Sequence, residues 1–212
     1  MALTLYRDSF WISPYVYSVY VALREKNLDF ETVPVALERG AQREPGYARE
    51  TITGRVPALA HDGFVLAESS AIVEYLDTVY SAVPVLPDGR HAMARARQVM
   101  AWIRSDDTLA IRQQRPTTTM FYAPAAAPLD AAGAACAAKI IAVAERLVEG
   151  RDAFLFGERF TVVDADLGFL LMRLVLNGDP VPEAVARYAR RVWARPSVRD
   201  FVARERAPYV AY

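Results

Sequence analysis

Glu68 and Ser69 stand side by side where an apolar stretch turns helical, a position suited to holding a small charged ligand. The first turn of a helix leaves backbone N–H groups unpaired and carries the positive end of the helix dipole, so a carboxylate docks there and on the Ser69 hydroxyl. Glu68 offers the opposite charge to an ammonium group. A zwitterionic amino-acid head group suits both. Taken alone, the pair also reads, more simply, as a helix cap beside a solvated surface acid.

Residues 55–76 position that pair. They read as a short strand entered through Pro57, an Asp62-Gly63 type I′ turn, a second strand at 64–66, and a helix capped by Ser69 and Ser70. Ile72, Leu76, Val79 and Tyr80 mark one face of that helix. Upstream, residues 2–6 read as a strand, 14–26 as a helix with the apolar face Val16, Val19, Tyr20 and Leu23, and 28–35 as a strand. Pro34 cannot donate to a ladder, which places that strand at a sheet edge. The pattern predicts a small mixed α/β domain over residues 1–80, with helices on one sheet.

Pro84, Pro87 and Asp88-Gly89 interrupt the pattern, so residues 81–90 read as a linker. Residues 91–212 read as helical only, with helices expected at about 91–115, 130–149, 162–176, 182–194 and 197–204 and a loop over 116–128. The helix at 162–176 is apolar nearly all round, the mark of a buried central helix, and Thr161 to Asp164 has the form of a capping box.

The chain has 212 residues, 53% of them hydrophobic, enough for a sizeable core. Lys plus Arg and Asp plus Glu both number 25, so no basic footprint points to nucleic acid or an anionic membrane. A small-molecule partner is expected instead. There is no leader-like start and no apolar run of spanning length, which gives a cytoplasmic expectation without a membrane role. One cysteine, Cys136, and two histidines, His61 and His91, exclude an intrachain disulfide and argue against a zinc site or a histidine cluster. Cys136 sits among alanines and reads as buried packing.

The chain resembles the cytosolic glutathione transferase superfamily, which joins a thioredoxin-like α/β domain to an all-α domain. The resemblance rests on Val56-Pro57-Ala58-Leu59, Glu68-Ser69, the Thr161 to Asp164 box and Arg195-Pro196-Ser197-Val198. Ser13-Pro14-Tyr15-Val16 stands where glutaredoxins carry Cys-Pro-Tyr-Cys, and it resembles the serine-type transferases. Ala94 to Gln98, Arg104 to Asp106 and Arg173 to Leu176 add a likeness to bacterial transferases of the YfcF type.

The resemblance implies that glutathione is the co-substrate, with no metal. Glu68 and Ser69 would hold its γ-glutamyl head, and Val56, before a cis Pro57, would pair with its cysteinyl part like an added strand. Of the competing Arg39, Arg43, Arg49 and Arg55 ahead of Pro57, Arg39 and Arg55 would meet the glycine carboxylate. Ser13 would stabilise the thiolate, with Ser9 and Tyr6 as competitors and a plain N-cap before Pro14 as the structural alternative. Lowering a thiol pKa from about 8.5 by about two units requires about 2.7 kcal/mol. A charge-assisted hydrogen bond supplies about 1.5 to 3 and a helix N-terminus about 0.3 to 1, so these suffice.

The implied activity is conjugation to a small-molecule electrophile or reduction of a peroxide, a detoxification chemistry, in a homodimer. Trp11, Trp102, Arg112 and Tyr122 are candidates for the electrophile pocket. The alternatives are a glutathione-dependent disulfide reductase or isomerase, and a non-catalytic binding module sharing the fold.

Overall fold

The computed structural model describes residues 2–212. Strand β1 (Leu3–Asp8) buries Leu3, Leu5 and Asp8 and leads to helix α1 (Pro14–Glu25), whose expected face of Val16, Val19, Tyr20 and Leu23 is fully buried. Asn27 turns the chain back in a left-handed conformation (φ 51°) toward β2 (Glu31–Val35). This strand begins three residues later than the apolar pattern suggested. It pairs parallel to β1.

Helix α2 (Pro45–Thr51) precedes the hairpin of β3 (Ala58–His61) and β4 (Phe64–Ala67), and the sheet order is β2-β1-β3-β4. Pro34 therefore lies on an edge strand, where its missing N–H interrupts no ladder. Asp62 and Gly63 both have positive φ (48° and 88°), the requirement of a type I′ turn. Helix α3 (Ser69–Val79) packs on α1 through Ile72, Val73 and Leu76. Val79, expected on that face, is 44% exposed because the helix ends there.

The remaining helices are α4 (Arg90–Arg104), α5 (Leu109–Gln114), α6 (Thr118–Phe121), α7 (Ala131–Val148), α8 (Val162–Leu176), α9 (Glu183–Trp193) and α10 (Pro196–Val202). The single helix expected over 91–115 is broken, because Ser105 is extended (ψ 173°) and its Oγ accepts the Asp107 amide, opening a 3₁₀ turn at Asp106–Thr108. The loop expected over 116–128 contains α6.

Helix α8 is buried from Val162 to Leu174. Its capping box is formed: Asp164 Oδ2 accepts from the Thr161 amide at 2.9 Å and the Thr161 hydroxyl at 2.7 Å, while Oδ1 accepts from Leu155 N and the Tyr188 hydroxyl. Cys136 is half-buried rather than buried, its thiol donating to the Asp107 carbonyl.

The chain divides into two compact units, one running to Val85 and including Asp200–Tyr212, the other Leu86–Arg199. The boundary falls between Val85 and Leu86. The closing segment, however, belongs with the α/β unit and not with the helical one, because Phe201 packs edge-on against Trp11, Tyr17 and Tyr20, and Tyr209 and Tyr212 pack on Phe10.

Candidate functional site

Strand pairing in the α/β unit brings separate segments to one end of the sheet. Asp8, at the end of β1, lies opposite Val35, at the end of β2; Tyr6 lies opposite Ala58, and Ala58 opposite Ala67. From that end the chain leaves β1 toward Ser13, leaves β2 toward Arg39, enters β3 through Arg55, Val56 and Pro57, and leaves β4 to Glu68 and Ser69. Residues spread over more than fifty positions thus share one rim.

Ser13 caps α1, with extended backbone (φ −67°, ψ 121°), Pro14 behind it and its Oγ accepting the Val16 amide at 3.3 Å. Capping uses a lone pair and leaves the hydroxyl proton to be donated, so cap and thiolate donor are compatible roles for one oxygen. The competitor Ser9 donates its proton to Glu38 Oε1 at 3.4 Å. Tyr6 packs edge-on against Tyr47 within the strand.

The loop before Ser13 is built around a group that sequence reasoning missed. Asp8 is fully buried, and its Oδ2 accepts the Ile12 amide at 2.8 Å while Oδ1 accepts the Ser13 amide at 3.2 Å. Burial pushes its carboxyl above the usual carboxylate range, opposed by those two hydrogen bonds and by Arg7. An acid closing an apolar strand was the only signal of it in the sequence.

Trp11 has φ 55° and is 7% exposed. The Arg7 and Arg204 guanidiniums lie 4.1 and 4.3 Å from its ring centroid, and Tyr20 and Phe201 meet it edge-on. Its ring is held by these packing contacts.

Ser69 is the first residue of α3 and 5% exposed, and Glu68 takes the N-cap position without a side-chain cap bond. The serine pair therefore does not cap the helix, contrary to expectation. Glu68 adopts a left-handed φ of 70° and its carboxylate stays exposed. For a residue other than glycine such backbone is costly, and residues of this kind cluster at binding sites.

The Val56–Pro57 peptide is cis, as the resemblance implied. Val56 lies beyond Ala58, the last β3 residue in register with β1, so its peptide groups fall outside that ladder. Arg39, on the 3₁₀ turn Leu37–Arg39, and Arg55 are exposed and in no ion pair among the described residues.

Trp102, Arg112 and Tyr122 lie in the helical unit. Trp102 lines a groove of about 400 Å³ with Val99, Asp107, Lys139, Val143 and Leu147. Arg112 donates to the Ser105 carbonyl at 3.0 Å, and Tyr122 follows α6, 38% exposed. The lining of the Trp102 groove includes neither of them.

Residues 1–78 match the glutathione S-transferase N-terminal domain and residues 90–206 the glutathione S-transferase C-terminal domain. Glutathione S-transferase 3 of Zea mays is 32% identical over 207 residues, covering 91% of this chain and 90% of its own. A glutathione transferase homologue from Burkholderia, solved with glutathione bound, is 39% identical with a TM-score of 0.77, and the match covers 96% of this chain and 97% of that one. A maleylacetoacetate isomerase from Pseudomonas aeruginosa is 41% identical over 93 residues, 42% of this chain and 44% of its own.

Proposed function

We propose, from the premise that the chain belongs to the glutathione S-transferase family, that it binds glutathione at the end of its four-stranded sheet and activates the thiol through Ser13. Glu68 and Ser69 receive the γ-glutamyl head, the Val56 peptide pairs with the cysteinyl part, and Arg39 and Arg55 face the glycine carboxylate. The Ser13 hydroxyl donates to the sulfur, favouring thiolate over thiol. The thiolate then forms a carbon–sulfur bond with an electrophile as the leaving group departs. With a peroxide it takes one oxygen, releasing an alcohol, and a second glutathione completes the reduction. On this reading the chain is a serine-type transferase akin to the bacterial YfcF group.

The observation that carries the reading is the convergence of Ser13, Val56-Pro57 and Glu68-Ser69 on one sheet end, with a donor at one place and a zwitterion site at another. The similar Burkholderia protein holds glutathione.

A second activity of the same thiolate is favoured by the maleylacetoacetate isomerase relatives. Reversible addition to a conjugated double bond permits rotation, after which expulsion of the sulfur restores glutathione unchanged.

Calorimetric titration with glutathione of wild type, Ser13→Ala and Ser69→Ala, alongside conjugation of an aromatic halide, tests the proposal. Binding that survives Ser13→Ala while turnover falls is expected. A wild type that binds no glutathione at millimolar concentration sinks it.

A further inference from the structure

The geometry points to Arg206 as a positioning residue for Ser13: its guanidinium holds the Trp11–Ile12 peptide in the one orientation that puts the Ser13 hydroxyl at the end of the sheet. This rests on the reading of Ser13 given above.

Arg206 Nε and Nη2 donate to the Trp11 carbonyl at 3.3 and 3.2 Å. The same guanidinium donates to the Phe201, Val202 and Arg204 carbonyls at the end of α10, so it arrives already fixed. The N–H on the other side of that peptide, Ile12 N, goes to Asp8 Oδ2 at 2.8 Å. One peptide plane is thus gripped by a cation at its oxygen and a carboxylate at its nitrogen. The grip is needed because Trp11 sits at φ 55°, a region that costs a side-chain-bearing residue about 1 to 3 kcal/mol. Without the guanidinium the peptide relaxes by rotating. Ile12 N–H then leaves Asp8, and Ser13, one residue on and tied to the same carboxylate, moves with it. Glu68, Ser69 and Val56 stand on other segments, at the start of α3 and ahead of β3, and are untouched by that rotation.

The test compares wild type, Arg206→Met and Arg206→Lys by the ultraviolet absorbance of bound glutathione thiolate against pH, with KM and kcat for conjugation. Arg206→Met is expected to raise the bound thiol pKa by about one unit, about tenfold in thiolate at low pH, lowering kcat while KM for glutathione stays within about twofold. Arg206→Lys, a point charge without the planar fork, falls between. Millimolar guanidinium restores part of the thiolate signal in Arg206→Met, a recovery that mere loss of stability does not give. If Arg206→Met does not fold, Arg206→Lys decides. A thiol pKa unchanged in the folded variants overturns the inference and leaves the glutathione reading standing; a wild type without thiolate at neutral pH overturns both.

Discussion

Asp8 Oδ1 accepts a hydrogen bond from the Ser13 amide at 3.2 Å, so the last residue of β1 holds the first turn of α1. Its other oxygen serves Ile12. Asp8→Asn offers one acceptor oxygen where two amides need one each, and an NH₂ group that opposes the second. Activity is expected to fall at every pH. The pH dependence has a definite sign. Burial raises the folded carboxyl above its ordinary value, so the unfolded chain loses its proton first and wild-type stability drains away as pH climbs through the folded value. As pH rises from the ordinary carboxylate range through the raised folded value, the Tm of Asp8→Asn therefore gains on that of wild type. A gap moving the other way refutes the assignment.

Ser13→Ala removes the hydroxyl proton and the Val16 cap together. Loss of a charge-assisted hydrogen bond worth about 1.5 to 3 kcal/mol raises the bound thiol pKa by about one to two units. Glutathione affinity changes little, since the head group is held elsewhere. Thiolate absorbance against pH reads the shift directly.

Lys26 is buried to 1% side-chain exposure, and its ammonium is 2.9 Å from Asp77 Oδ1, 2.9 Å from the Tyr80 carbonyl and 2.7 Å from the Val83 carbonyl. All three protons are placed. Lys26→Met strands a largely buried Asp77 carboxylate and is expected to cost about 3 to 5 kcal/mol. Adding Asp77→Leu recovers much of it. Urea unfolding of the single and double variants checks both.

Gly168 lies where a Cβ would come within 2.4 Å of Val192 Cγ1 and 2.8 Å of Val192 Cβ, at the crossing of α8 and α9. Helix propensity alone favours alanine by about 1 kcal/mol. Overpacking against a stiff β-branched side chain costs about 1 to 3. Sterics win, so Gly168→Ala destabilises, and combining it with Val192→Ala brings a partial return in thermal unfolding.

Local signals were legible from the sequence wherever they acted over a few residues: the Asp62-Gly63 turn, the Ser13-Pro14 start, Pro34 on an edge and the Thr161 to Asp164 box. What escaped depends on distant partners. The burial of Asp8 is set by the fold around it, and Arg206 is 195 positions from the carbonyl it holds. The setting of Trp11 likewise depends on a distant partner, since the guanidiniums of Arg7 and of Arg204 both lie against its ring. Ser69 was misread by a single position, since the turn at Glu68 starts the helix earlier than a serine cap would.

Lysine is scarce in this arginine-rich chain: Lys26 and Lys139 are the two. The first is sealed beneath Tyr80 and Val83, whereas the Lys139 side chain on α7 is 53% exposed beside Asp107. Apart from the terminal amine, an acylating reagent applied to the folded protein therefore finds one address. A dye or surface tether attached there sits on the helical unit, on an element separate from the rim that carries Ser13 and Glu68, and modification of Lys26 becomes a marker for unfolding of the α/β unit.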